Sequence, residues 1–129
     1  MKTLLLCQNP KHSHNVDRPL EGTRSGRTVQ AWLRILGLEA SDVLILNASK
    51  KTGKVSWRDY DNAGVSLALS ECTRFIALGA YAQGLYERLG VSCFTLPNPS
   101  GLNRINNDKE TLTHQLHLCK IYLGGTRSL

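Results

Sequence analysis

The sequence predicts an α/β fold: a three-layer α/β/α sandwich around a four-stranded parallel sheet. Two observations carry this. Four short apolar runs, Thr3–Cys7, Val43–Leu46, Phe75–Leu78 and Cys93–Leu96, are separated by stretches whose apolar residues recur at helical spacing. Runs and helical stretches alternate along the chain, which favours parallel strands joined by right-handed crossovers, with helices on both faces.

Each element has its own reason. Thr3–Cys7 is apolar at consecutive positions, as a strand buried on both faces is. Val29, Trp32, Leu33 and Leu36 fall at i, i+3, i+4 and i+7 and mark a first helix, with Thr23 or Ser25 as its cap and Gly37 at its end. Val43–Leu46 is a second strand ending at Asn47. A basic connection carrying Lys50, Lys51, Lys54 and Arg58 leads to a helical stretch over about Asp59–Ser70, made weaker by Gly64. Phe75–Leu78 is the third strand. Gly79 turns it into a helix with Ala82, Leu85, Tyr86 and Leu89 on one face, closed by Gly90. Cys93–Leu96 is the fourth strand. The last helix starts near Asn107 or Asp108 and buries Leu112, Leu116, Cys119 and Leu123.

The 129 residues form one expected domain, residues 1–129, large enough to bury a core without staples. A hydrophobic content of 41% and a charged content of 20% describe an ordinary globule. The apolar start is too short for a signal peptide, being stopped by Gln8-Asn9-Pro10, and no stretch has the length of a membrane span. A cytoplasmic protein is expected. Cys7, Cys72, Cys93 and Cys119 form no C-x-x-C pair, so zinc ribbons and thiolate-held clusters lack their signature, and reduced core cysteines are expected. The net charge of +6 favours a phosphate-bearing partner without proving one.

In a parallel sheet all strand-to-helix loops emerge at one edge, where ligands bind. Here those loops are Gln8–Gly22, Ala48–Arg58, Gly79–Ala80 and Pro97–Arg104. They gather Asn9, Asn47, Asn98, Ser100 and Asn103 with Arg18, Arg24, Arg27, Lys50, Lys51, Lys54 and Arg104. Amide side chains among cations suit a neutral heterocycle attached to phosphates. Gly22-Thr23-Arg24-Ser25-Gly26-Arg27 opens a helix, and reads equally as an anion site or as simple capping with solvated arginines. In Pro97–Arg104 two prolines and Gly101 shape a tight loop in which Leu102 is either a wedge beside a polyanion or a core side chain. Trp57 either stacks on a base or packs beneath its basic loop.

Other constellations are weak. Lys51-Thr52-Gly53-Lys54 is not a P-loop, because Ala48 replaces the first glycine and Val55 the hydroxyl residue that would meet magnesium. His12 and His14, and His114 and His117, have no acid completing a metal set. No paired carboxylates suggest two-acid catalysis.

Three pieces in order resemble the uracil-DNA glycosylase superfamily, nearest in motif to its mismatch-specific uracil (thymine) branch. They are Cys7-Gln8-Asn9-Pro10, Leu44-Ile45-Leu46-Asn47 and Asn98-Pro99-Ser100-Gly101-Leu102-Asn103-Arg104; Gly22-Thr23-Arg24-Ser25-Gly26 resembles a further segment of bacterial and phage branches. The resemblance spans nearly the whole chain and implies the same four-stranded sandwich in a short, phage-type member. It implies catalytic roles for Asn9, Asn98 and Ser100, with Asn9 holding a water against the anomeric carbon of a flipped-out nucleotide. Gln8, Leu20 and Asn47 would contact the base. Arg24, Ser25, Arg27, Lys50, Lys51, Gly101, Leu102, Asn103 and Arg104 would contact DNA, Leu102 filling the vacated space. Departures are visible too. The strongest uracil-specific enzymes have Asp at the position of Asn9 and His at that of Asn98, Cys7 replaces a small glycine, and Leu20 stands for a stacking aromatic. The ligands of the cluster-containing branches are absent, so no cofactor is expected.

The expected activity is hydrolysis of the N-glycosidic bond of a uracil-like, mismatched or modified base. The alternatives are a non-catalytic binder that sequesters a nucleotide or nucleotide-derived signal in the same pocket, and a non-catalytic DNA reader.

Overall fold

The computed structural model describes residues 2–9, 24–99 and 108–124. Their element order is β1 (Lys2–Cys7), α1 (Arg24–Leu36), β2 (Val43–Asn47), α2 (Asn62–Leu69), β3 (Cys72–Leu78), α3 (Ala80–Arg88), β4 (Phe94–Leu96) and α4 (Lys109–Gly124), with short 3-10 turns at Ala40–Asp42 and Trp57–Asp59. The strands form one all-parallel sheet in the order β2-β1-β3-β4.

β1 lies inside the sheet and is covered on both faces, which is why it is a run of leucines and not an alternating strand. Leu5 and Cys7 point into one core with Ile76, Leu78 and Leu96, closed by Val29, Trp32, Leu33 and Leu36 of α1 and by Leu116 and Cys119 of α4. Leu4 and Leu6 point into the other, with Ala77, Val65 and Ala68 of α2, and Ala82, Leu85 and Tyr86 of α3. Helices therefore cover both faces, two on each, and the three-layer α/β/α expectation holds. This division follows from the strand order. The step from β1 to β2 runs one way across the sheet and the later steps run the other, so right-handed crossovers must place α1 opposite α2 and α3.

Local chemistry sets the ends of the helices. At the close of α1 the Leu38 N–H donates to the Leu33 carbonyl at 2.9 Å and the Gly37 N–H to Arg34 at 3.2 Å, with Gly37 at φ 74°. These are the paired bonds of a Schellman cap. Asp108 caps α4, accepting from the Thr111 N–H at 3.2 Å and from its hydroxyl at 2.8 Å. β1 starts one residue early and β4 one residue late, and two elements differ more from the sequence expectation. The third strand begins at Cys72, three residues early, because Lys2 of β1 offers a pairing partner there. The helix expected over about Asp59–Ser70 starts three residues late: a 3-10 turn ends at Asp59, and α2 begins behind Asp61. Asp61 accepts from the Gly64 N–H at 3.1 Å, and its carboxylate occupies the space that a side chain at Gly64 would need. Gly64 is thus a requirement of the cap and not a weakness in the helix.

Among the described residues no helix is long and apolar enough to cross a membrane. All four cysteines are free thiols; Cys7, Cys72 and Cys119 are buried and Cys93 is half-buried.

Tyr86 links one helical layer to the sheet. Its ring is fully buried, and its hydroxyl lies 2.9 Å from the Leu4 carbonyl of β1 and 3.2 Å from the Ile76 carbonyl of β3. One hydroxyl hydrogen serves both acceptors. Tyr86→Phe removes it and is expected to cost about 1–3 kcal/mol, read as a lower urea midpoint with an unchanged slope. An unchanged midpoint would mean that the hydroxyl contributes nothing across the β1/β3 pair.

Candidate functional site

The carboxyl edge of the sheet carries the sequence-predicted amides Asn9, Asn47 and Asn98. In an open α/β sheet the binding crevice forms where the chain's crossovers change direction, outside the strand ends. Here that point lies between β1 and β3. Gln8 and Asn9 follow β1, Gly79 follows β3, Asn47 ends β2, and Asn98 stands two residues beyond β4.

Gln8 and Asn98 come from strands that are not neighbours, since β3 lies between them. They nevertheless meet: the Asn98 Nδ2 donates to Gln8 Oε1 at 3.1 Å. Gly79 makes this approach possible. A side-chain carbon at Gly79 would lie 3.3 Å from the Asn98 Cβ, and its φ of 92° with ψ of 170° is a conformation that L side chains rarely adopt. The Gly79 N–H also donates to the Leu96 carbonyl at 2.8 Å, tying the end of β3 to β4.

Asn9 is oriented by its own donors. Its Nδ2 donates to the carbonyls of Lys51 at 3.0 Å and Gly53 at 2.8 Å. Two carbonyls facing one end of the amide fix which end carries nitrogen, because an oxygen there would be repelled. Both amide hydrogens are engaged, so Oδ1 is the atom left to accept from a ligand or a water. The same bonds hold the basic loop after β2 against the end of β1. Two backbone bonds reinforce it, from the Ala48 N–H to the Cys7 carbonyl at 2.7 Å and from the Ser49 N–H to the Gln8 carbonyl at 3.1 Å. Ser49 is fully buried and its hydroxyl accepts from the Lys51 N–H at 3.1 Å.

Asn47 differs from the other amides. It pairs in register with Cys7, and strand alternation puts it on the α1 side of the sheet, with Val43 and Ile45. It is only 8% exposed, yet its carboxamide has no hydrogen-bond partner among the described residues. Buried amides without partners are rare and call for a specific explanation, such as a bound group. The crossover geometry brings the start of α1 to this edge on the same side, with Arg24 as its first residue, Ser25 half-buried and Arg27 exposed.

Charge at the edge is basic but partly balanced. Lys50 lies 3.8 Å from an Asp61 carboxylate oxygen and Lys51 3.7 Å from one of Asp59. The Ser56 backbone N–H, with help from the Lys51 charge, holds the Asp59 carboxyl below its usual range. Both acids thus serve their own turns, as caps and as lysine partners. Burial pushes the Cys7 thiol up to about 12, so at neutral pH it is a protonated core side chain and no nucleophile. Among the described residues no group of three or more His, Cys, Asp or Glu side chains is placed to hold a metal ion.

Of the sequence-predicted site residues, the structure places Gln8, Asn9, Asn47, Asn98, Lys50 and Lys51 at or beside one edge, with Arg24, Ser25 and Arg27 at the helix start. Leu20, Ser100, Gly101, Leu102, Asn103 and Arg104 lie outside the described residues. Sequence reasoning missed Ser49, which carries no signal beyond its position after a strand. It read Gly79 as a turn only and missed its role as the gap that admits Asn98.

No protein-family model matches the chain, and no curated protein matches it.

Asn9→Asp would set a carboxylate oxygen against the two loop carbonyls in place of a donor. It is expected to lower stability by about 1–3 kcal/mol at neutral pH and to expose residues 50–54 to proteolysis. At a pH low enough to protonate the introduced acid, one donor returns and the loss shrinks. Equal stability of the two proteins at neutral pH would show that Asn9 does not hold this loop.

Proposed function

We propose that this protein is a DNA glycosylase-like hydrolase of the uracil-DNA glycosylase type, cleaving the N-glycosidic bond of a flipped-out uracil-like, mismatched or modified base. The single observation that carries the reading is the buried Asn47 carboxamide, without a hydrogen-bond partner among the described residues, at an edge built from Gln8, Asn9 and Asn98. A carboxamide offers one donor face and one acceptor, the complement of a base's Watson–Crick edge. In this reading an extruded base meets Asn47, and the backbone phosphates face the start of α1 with Ser25 and Arg27.

Asn9 then acts through Oδ1, holding a water against the anomeric carbon while its nitrogen stays on the loop carbonyls. An amide does not take up a proton near neutral pH. Rate enhancement would come from placing the water and from stabilising the departing base anion, so turnover is expected to be slow. Ser100 and the Gly101–Arg104 segment would complete the site, Leu102 filling the gap left by the base and Arg104 meeting a phosphate. Such a protein would act in base-excision repair in the cytoplasm, with no cofactor.

One observation favours a second reading. The acids nearest the described edge, Asp59 and Asp61, are engaged as caps and lysine partners. An edge of amides without an available carboxylate among the described residues also suits a binder that sequesters a nucleotide or nucleotide-derived signal without cleaving it.

The test is direct. Duplex and single-stranded DNA containing uracil, G·U, G·T or modified bases is incubated with the protein and assayed for free base and abasic sites. Base release from at least one substrate, reduced tenfold or more in Asn47→Ala while the melting temperature changes little, is the expected result. No release from any substrate, with saturable binding of a mononucleotide or cyclic dinucleotide, would replace the enzyme by the binder.

A further inference from the structure

Away from the sheet edge, Trp57 stands 59% exposed, whereas Trp32 is 5% exposed in the core. The sequence left open whether Trp57 packs beneath its loop; in the structure it does not. Two guanidiniums approach its ring instead, Arg58 at 5.3 Å and Arg88 at 5.0 Å from the centroid, and Arg88 also lies 5.9 Å from the Tyr60 ring. Neither arginine has a carboxylate partner among the described residues.

The mount under this ring is rigid. Ser56 caps the 3-10 turn that carries Trp57: its N–H donates to Asp59 at 2.8 Å, and its hydroxyl accepts from the Arg58 N–H at 3.3 Å. The Tyr81 hydroxyl donates to the Ser56 carbonyl at 2.8 Å, and the Tyr60 hydroxyl donates to the Tyr81 carbonyl at 2.8 Å. The two tyrosine rings lie 4.5 Å apart. Gly84 leaves the space in α3 that the Tyr60 hydroxyl fills. The turn is therefore pinned to α3 through two tyrosines, and it presents an indole to solvent.

Arg88 ends α3, whose first residue Ala80 is at the carboxyl edge, so the patch sits about 12 Å along that helix from the edge. It is a separate surface from the amide cluster. The loop that carries it starts at that cluster, where Asn9 holds its residues 51 and 53.

We propose that Trp57, Arg58 and Arg88 form a stacking platform for an unpaired nucleotide of single-stranded DNA, the strand continuing along the basic loop to the carboxyl edge. The inference rests on the DNA reading above. A base presents a flat face to the indole, and its phosphates meet the guanidiniums; every base has such a face, so the platform tolerates any sequence. Duplex DNA offers its base faces only at its ends. An acidic peptide would satisfy the arginines but offer no flat face to the indole, which is why a polynucleotide is the better match.

The experiment uses the two tryptophans as reporter and reference. Oligodeoxycytidylate is titrated into the protein while intrinsic fluorescence is followed. Saturable quenching is expected, lost in Trp57→Leu, with affinity weaker by about tenfold. Arg58→Gln and Arg88→Gln should each reduce the slope of log affinity against log salt by about 0.7. Far-UV circular dichroism checks that the variants are folded, as substitution at these exposed positions should leave them. Binding without quenching, or equal affinity of Trp57→Leu, would overturn the platform. So would equal quenching and competition by polyglutamate, which would make the patch a site for an acidic protein. Failure of the glycosylase reading looks different: quenching persists while no base is released.

Discussion

The structure depends on the burial of β1. This strand is paired on both sides and covered on both faces, so its backbone polar groups have no alternative to the ladders with β2 and β3. The proposed site is placed by where it ends. The chain leaves β1 at Cys7 and turns one way to form α1, whereas it leaves β3 at Leu78 and turns the other way to form α3. The gap between those departures receives Gln8, and Gly79 gives Asn98 the room to reach it.

The edge that results is built from carboxamides, each held differently. Asn98 and Gln8 satisfy one another in part, Asn9 is turned by two loop carbonyls, and Asn47 is buried without a partner among the described residues. Fixed amide dipoles recognise a polar heterocycle well and move protons poorly. That contrast underlies the proposed slow glycosylase, and it equally explains why a nucleotide binder is the natural second reading. If the resemblance to uracil-DNA glycosylases holds, amides at Asn9 and Asn98 in place of an acid and a histidine point the same way. In particular, the two carbonyls facing Asn9 suit an amide and oppose a carboxylate.

Much of this was legible in the sequence, and the reasons are physical. Buried parallel strands are apolar at consecutive positions, and helices on their faces carry a single apolar stripe, so order and layer count followed from pattern alone. Strand-terminal residues such as Asn47 were legible because the topology sends every strand end to the same edge. Contacts between loops were not. The Gln8–Asn98 bond spans 90 residues and the Trp57–Arg88 contact joins a loop to the far end of a helix; neither leaves a local signature. The late start of the helix expected over about Asp59–Ser70 was missed because Asp61 is a good cap only once its carboxylate folds over Gly64, a detail of space and not of propensity.

The measurement that tests the central claim most directly is the side-chain amide resonance of Asn47, assigned by its loss in Asn47→Ala. It is followed in a nitrogen–proton correlation spectrum while deoxyuridine monophosphate is added. The account predicts a saturable shift of the Asn47 amide, with Asn98 and Gln8 moving along the same binding curve. A ligand that shifts other resonances while these three amides stay still would contradict the placement of the base at the carboxyl edge.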